Sequence, residues 1–271
     1  MFLGHGSKRF GFLLLGLVLT TGGLQAQTPA TASAPASSKV WMDRVQEFED
    51  YIRTAPVTKV TKVGLGVTSP NRAYLAPDGL VESIAWKPIK PGIYQGHYES
   101  YHAEIAGYEL DKLLGLNMVP PTVERRVNGE LGSASLWVLS TRMFKEMKPN
   151  ELPTGPAWDR QVRQMKLFQD LIGNDDPNAG NLLVDRAGNL ILIDFSRAFT
   201  SNKTLYFKLE RVDPDLWDKM KALTPESLTA ALEKSLGKSE IRAIIDRRDR
   251  MKKDIDQLVA AKGEAAIFIK H

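Results

Sequence analysis

Gly173-Asn174-Asp175-Asp176-Pro177-Asn178-Ala179-Gly180-Asn181, continued by LLVDRAGNLILIDFSRAF over 182–199, fixes the order Asp176, Asn181, Asp194. Five positions separate the first two and thirteen the second two. A site that transfers a phosphoryl group has little covalent chemistry to perform. It needs a carboxylate beside the attacking hydroxyl and oxygen ligands for a cation on the nucleotide phosphates. Three short oxygen side chains in this order meet that need. Their surroundings agree: Asn181 opens the apolar run LLV, Asp194 closes LILI, and Asp185-Arg186-Ala187-Gly188-Asn189 reads as the turn between two strands. Such a hairpin brings Asn181 and Asp194 to the same end. Asp and Asn are also ordinary turn formers, and Asp175 competes with Asp176, although only Asp176 has the five-residue spacing to Asn181.

Upstream, the apolar spacing of Trp158 to Ile172 predicts a helix that stops at Gly173 and delivers the chain to Asp176. The loop-like stretch Pro149 to Pro156 separates it from an α+β segment. There, a helix over Val40 to Ile52 precedes strands in VTKVGLGV, RAYLA and LVESIAWKPI. After a loop comes a helix in YHAEIAGYELDKLLGL with Gly115 as its stop, then strands TVERRV and ASLWVLSTRMF around an Asn128-Gly129 turn. Beyond Phe199 the chain reads as helices: DPDLWDKMKAL, TPESLTAALEKSL and a long one from Lys238. The organisation expected is two-lobed α+β: a β-rich first lobe over 40–148 that binds nucleotide, and a mostly helical second lobe over 149–271 with the catalytic loop and metal site.

Lys8 and Arg9 before FGFLLLGLVL and a small-residue site near Ala26 read as a signal peptide over 1–26, too short to span a membrane comfortably. Residues 27–39, rich in Ala, Ser, Thr and Pro, read as a flexible tether. The expected location is therefore outside the cytoplasm, periplasmic or secreted, without stable membrane insertion once the leader is cleaved. The chain has no cysteine, so neither a disulfide nor a lipidated cysteine can hold it. Its formal charge is +4, but two cations lie in an acid-free leader, leaving 34 basic against 32 acidic residues; that balance gives no argument for nucleic acid. The basic stretch from Arg242 is interleaved with Asp246, Asp249 and Asp254 and reads as a solvated helix face.

A phosphotransfer site also needs a lysine at the phosphates and a glutamate to hold it. Lys87 ends the strand SIAWK and Glu104 follows seventeen positions later in the first turn of a helix; Lys90 is a rival for Lys87. The turn Gly64-Leu65-Gly66-Val67-Thr68 could lay backbone N–H groups on phosphate oxygens, with Gly64, Gly66 and Thr68 as contacts. No HExxH, paired-histidine or GxSxG spacing offers another chemistry.

Together these motifs resemble the atypical kinases related to phosphatidylinositol kinases, HipA-type toxin kinases and the secretory-pathway kinases of the Golgi. The pattern E-x-x-x-Y-x-L-D-x-x-L-G-L-x-x-V-P is matched by Glu104, Tyr108, Leu110, Asp111, Leu114-Gly115-Leu116 and Val119-Pro120. N-x-D-R-H-x-G-N is approached by Asn174, Asp176, Pro177, Asn178, Gly180 and Asn181, and I-D-x-x-x-A-F by Ile193, Asp194, Ala198 and Phe199. The likeness runs from about Val60 to Gly263. It implies a protein-kinase-like fold, ATP or another nucleotide with Mg²⁺ or Mn²⁺, Lys87 on the phosphates paired with Glu104, Asp176 as catalytic carboxylate, and Asn181 and Asp194 on the metal. The acceptor would be a protein, a glycan or a small molecule. Pro177 and Asn178 replace the usual Arg-His, and ATP is scarce outside a bacterial inner membrane. The first bears on efficiency more than on nucleotide binding; the second supports the alternative, a non-catalytic secreted pseudokinase or nucleotide-binding interaction module.

Overall fold

In the computed structural model, residues 37–64 and 70–270 are described. The leader reading over 1–26, most of the tether, and Gly66 and Thr68 lie outside them.

The first helix, α1 (Val45–Thr54), buries Phe48 and Ile52. It starts later than the sequence periodicity suggests: residues 40–43 form turns, and the buried Trp41 that fits the helical spacing packs from that turn. Strands β1 (Val57–Lys62), β2 (Asn71–Leu75) and β3 (Ser83–Lys87) follow. The segment expected as a plain loop is a hairpin, β4 (Gly92–Tyr94) and β5 (His97–Glu99), turned by Gln95 and Gly96 at positive φ. Helix α2 (Tyr101–Leu114) begins where Ser100 Oγ accepts the His102 N–H at 3.1 Å and ends at left-handed Gly115. Strands β6 (Thr122–Val127) and β7 (Glu130–Leu136) pair around Asn128-Gly129, both at positive φ as a tight two-residue hairpin turn requires. The first sheet is antiparallel, in the order β1-β2-β3-β7-β6.

The sequence reads ASLWVLSTRMF as one strand. It is two: β7 stays in the five-stranded sheet, while β8 (Thr141–Met143) joins a second sheet of order β10-β9-β8. The chain thus changes sheets across 137–140, ahead of the 148/149 boundary read from the prolines. Helix α3 (Pro156–Ile172) leads to the hairpin of β9 (Leu182–Asp185) and β10 (Leu190–Leu192); α4 (Pro214–Lys221), α5 (Pro225–Leu232), α6 (Lys238–Lys262) and α7 (Glu264–Ile267) complete the helical lobe. Among the described residues no helix is long and apolar enough to cross a membrane.

Two apolar cores divide the molecule. One joins α1 to the five-stranded sheet; the other joins α2, α3 and the C-terminal helices. Strand β10 serves both. Side chains alternate along a strand, so Leu190 and Leu192 enter the helical core and Ile191 the sheet core. The β9–β10 hairpin therefore lies between the two cores, with Asn181 and Asp194 flanking its open end. The first described residues also dock on this hairpin: Ser38 N–H donates to Asp185 Oδ2 at 2.8 Å, and Asn189 Nδ2 to Ser37 Oγ at 3.0 Å.

Candidate active site

Lys87 closes β3, an inner strand flanked by β2 and β7, so its stem is walled in and only 8% of the residue is exposed. Its Nζ donates to Glu104 Oε1 at 2.6 Å and to Asp194 Oδ1 at 2.8 Å. Glu104 lies in the first turn of α2, and its second oxygen accepts the Phe195 N–H at 3.1 Å. One glutamate thereby ties the lysine of the sheet to the segment that follows β10. Asp194 has φ +64, a region that L-residues seldom occupy. The turn is compensated on both sides: Ser196 Oγ donates to Asp194 Oδ1 at 3.2 Å, and the Phe195 ring is buried, 6.1 Å edge-on from Phe168. Gly107, one turn beyond Glu104, makes room for that ring; a Cβ there would stand 2.9 Å from it.

The electrostatics follow from two acids and one base in a dry place. Burial opposes the charge on Lys87, but Asp194 and Glu104 outweigh it and lift the ammonium above its ordinary range. Burial, with Asp194 adding repulsion, raises Glu104. Burial also opposes ionisation of Asp194, yet Lys87 holds that carboxyl below its usual range. The same lysine therefore favours the charged form of Asp194 more than burial opposes it, while for Glu104 burial prevails.

The loop side is built differently. Buried Asn174 donates to Gln169 Oε1 at 2.9 Å and accepts the Asp176 N–H at 3.2 Å. Asn178 holds the loop twice: its Nδ2 donates to Asp176 Oδ1 at 2.9 Å and its Oδ1 accepts the Gly180 N–H at 2.7 Å. Asn181 is buried and turns its Nδ2 to Asp176 O at 3.3 Å, which leaves its Oδ1 facing elsewhere. Its own carbonyl accepts the Ile193 N–H at 3.0 Å, so the amide side chain and Asp194 are set by one hydrogen-bonded crossing. Asp175 is exposed, 3.5 Å from His97 Nδ1.

Of the residues read from sequence, the structure brings Lys87, Glu104 and Asp194 into direct contact and joins Asp176 to Asn181. Lys90 is exposed, and among the described residues its ammonium makes no hydrogen bond or ion pair. Gly64 is exposed at the end of the described part of its turn. Residues missed by sequence reading are Glu99, Ser196 and Arg197. Arg197 Nε donates to the fully buried Glu99 Oε1 at 2.9 Å, and its Nη1 stands 3.9 Å from Asp176 Oδ2. No local pattern marks Glu99; Arg197 lay inside the I-D-x-x-x-A-F stretch as an unconstrained position.

Arg247 of α6 braces the approach to the loop. Fully buried, it donates to Leu171 O at 2.8 Å, Thr200 O at 3.1 Å and Asn202 O at 2.6 Å; with burial unopposed by a bonded acid, its guanidinium is lowered to about 10.

Among the described residues no three Asp, Glu, His or Cys side chains form a metal cage. Asp194 and Asn181 instead provide a carboxylate and an amide oxygen. That open, all-oxygen pair fits a hard divalent cation that completes its shell with phosphate and water. Two cavities, of about 280 and 190 Å³, lie elsewhere, the larger lined by Asp159, Arg163, Lys166 and Arg211, the smaller by Leu114, Arg160 and Lys219. The converging charges of Lys87, Glu104 and Asp194 line neither of them.

The fold has solved counterparts. The chain matches a Golgi casein kinase with Mn/ADP bound at a TM-score of 0.63 and 16% identity, over 83% of this chain and 78% of that one. It matches the Fam20 protein of hydra, solved with sugar, at 0.62 and 16%, over 83% and 92%. It matches the proinflammatory kinase CtkA of Helicobacter pylori at 0.51 and 11%, over 78% and 97%. No protein-family profile matches the chain, and no curated protein does. The fold is atypical kinase-like, as the motifs led us to expect: a β-rich lobe and a mostly helical lobe.

Proposed function

We propose that this chain is a metal-dependent phosphotransferase that moves the terminal phosphoryl group of ATP, or of another nucleotide, to a hydroxyl on a protein, glycan or small-molecule acceptor outside the cytoplasm. The observation that carries this reading is the Lys87 ammonium held at 2.6 Å from Glu104 and 2.8 Å from Asp194. A buried cation pinned on a strand end by a helix carboxylate is positioned to meet phosphate oxygens, and Arg- or Lys-type charge there stabilises the transferring group. A divalent ion on Asn181 and Asp194 would neutralise charge on the phosphates; the Mn/ADP in the Golgi casein kinase of like fold supports that choice. Lys87 would then exchange Asp194 for phosphate. Asp176, with Oδ1 fixed by Asn178, keeps Oδ2 to accept the proton of the attacking hydroxyl.

A second reading, a pseudokinase that binds nucleotide without transfer, is favoured by one observation: the loop between Asp176 and Asn181 carries no cation of its own. Melting curves with ATP, Mg²⁺ or Mn²⁺ and chelator test the site that both readings share, and turnover in the same samples separates the two. Nucleotide is expected to stabilise only with metal, by mass action on the native state. Asp194→Asn should abolish that shift, while Asp176→Asn should keep it and lose about 10²–10⁴ in turnover. Equal shifts with and without chelator remove the site. Binding without transfer to any acceptor and without hydrolysis leaves the pseudokinase.

A further inference from the structure

The loop Pro177-Asn178-Ala179-Gly180 has no basic side chain, yet a guanidinium stands beside its carboxylate. It comes from Arg197, three positions past Asp194, and its direction is not left to chance. Nε is committed to Glu99 at 2.9 Å, and Glu99 has no solvent exposure at all. A planar guanidinium anchored by one edge has its other edge fixed as well, and here that edge puts Nη1 3.9 Å from Asp176 Oδ2. A second bond keeps the two segments in register: the Ser100 N–H donates to Ser196 O at 2.9 Å. Glu99 and Ser100 are also the lead-in to α2, the helix that carries Glu104. The lysine side and the loop side of the cleft therefore share one anchor point, where β5 meets α2.

We propose that Arg197, oriented by Glu99, is a positioning residue for Asp176: it supplies in space the positive charge that the loop lacks in sequence and holds Oδ2 toward the acceptor hydroxyl. This role rests on the phosphotransfer reading. It predicts that losing the guanidinium slows the chemical step and spares nucleotide binding, because Arg197 makes no contact with Lys87, Asn181 or Asp194 among its hydrogen bonds and ion pairs.

The test measures ADP released from MnATP, to water and to a supplied serine peptide or oligosaccharide, alongside the metal-dependent melting shift. Arg197→Gln should lower kcat at least about tenfold while the nucleotide KM stays within about twofold and the melting shift persists. Arg197→Lys, which keeps the charge, should recover most of the loss, and Glu99→Gln, which keeps the shape of the anchor, should lower kcat in the same direction. If Arg197→Gln does not fold, Glu99→Gln carries the same kcat-against-KM comparison, and parental kcat there overturns the role. Parental kcat in Arg197→Gln overturns the role and leaves the phosphotransfer reading standing. Loss of kcat together with the melting shift, unrescued by lysine, marks a merely structural arginine and overturns it too. A parent protein that binds MnATP and releases no ADP under any of these conditions removes the phosphotransfer reading itself and the role with it.

Discussion

Lys87 and Glu104 are buried and locked with half-buried Asp194 by one another's charge, whereas 175–180 is exposed or half-buried and is held up largely by its own asparagines. The first arrangement stores its order in the two cores, since it needs β3, α2 and the end of β10 in place at once. The second stores it in hydrogen bonds two residues long. A perturbation of the lysine side should therefore be felt through the whole molecule, and one of the loop side should stay local.

The strongest way to break that contrast is Lys87→Met. It leaves the buried Glu104 and the half-buried Asp194 carboxylates facing each other without a cation, and since breaking a fully buried charge set costs about 3–5 kcal/mol, the partly solvated set here should lose somewhat less. Nucleotide affinity should fall with it. The pH dependence has a definite sign. In the parent, Asp194 is held below its usual range by Lys87, so its contribution to stability is present above the unfolded carboxylate range and is lost as pH falls through the lowered value. In the variant, burial and mutual repulsion raise both acids. The stability deficit should then be small near pH 4 and grow toward pH 8, as denaturant unfolding at the two pH values would show. A deficit independent of pH would mean that the triad is not electrostatically coupled.

Gly107→Ala ranks next. An added methyl favours a helix interior, but here it would lie 2.9 Å from the Phe195 ring, and overpacking a core costs about 1–3 kcal/mol. Because Phe195 also binds Glu104 through its backbone, the metal-dependent melting shift should shrink as well. Unchanged stability would show that the ring has somewhere to go. The smallest effect is expected for Asn178→Ala, which removes the bonds to Asp176 Oδ1 and Gly180 N–H. At this exposed cap the stability loss should be about 0.5–1 kcal/mol, with turnover falling and nucleotide binding intact. A large drop in melting temperature would show that the loop is not the self-contained unit described here.

What the sequence made legible follows the same division. Gly115, Gly173 and Asn128-Gly129 announce their turns within a few residues, and the alternation of β10 places Asp194 at the cleft without knowledge of its neighbours. Lys87 and Glu104 could be proposed because each sits at a recognisable element end, the close of a strand and the first turn of a helix, although the hairpin between them was not read. The break between β7 and β8 was not legible: Trp137 to Ser140 are as apolar and β-prone as their flanks, and only pairing of β8 with β9 shows that the strand changes sheets. The hairpin of β4 and β5 was missed because its strands are three residues each and Ile93, Tyr94 and Tyr98 stay exposed, so no alternation of burial marks them. Glu99 and Arg197 are ninety-eight positions apart, a distance over which no local rule acts.

Gly173 and Arg247 constrain one another in the currency of permitted substitutions. Gly173 has φ +61, which disfavours a side chain, and a Cβ there would also lie 2.8 Å from the Arg247 guanidinium. An alanine introduced to stiffen the loop is thus refused twice, by the backbone and by a neighbour from a distant helix. Shortening Arg247 would lift only the second refusal, and it would release the carbonyls of Leu171, Thr200 and Asn202 that the same side chain gathers. An engineer can exchange these two positions only as a pair, with a new donor supplied for those three oxygens.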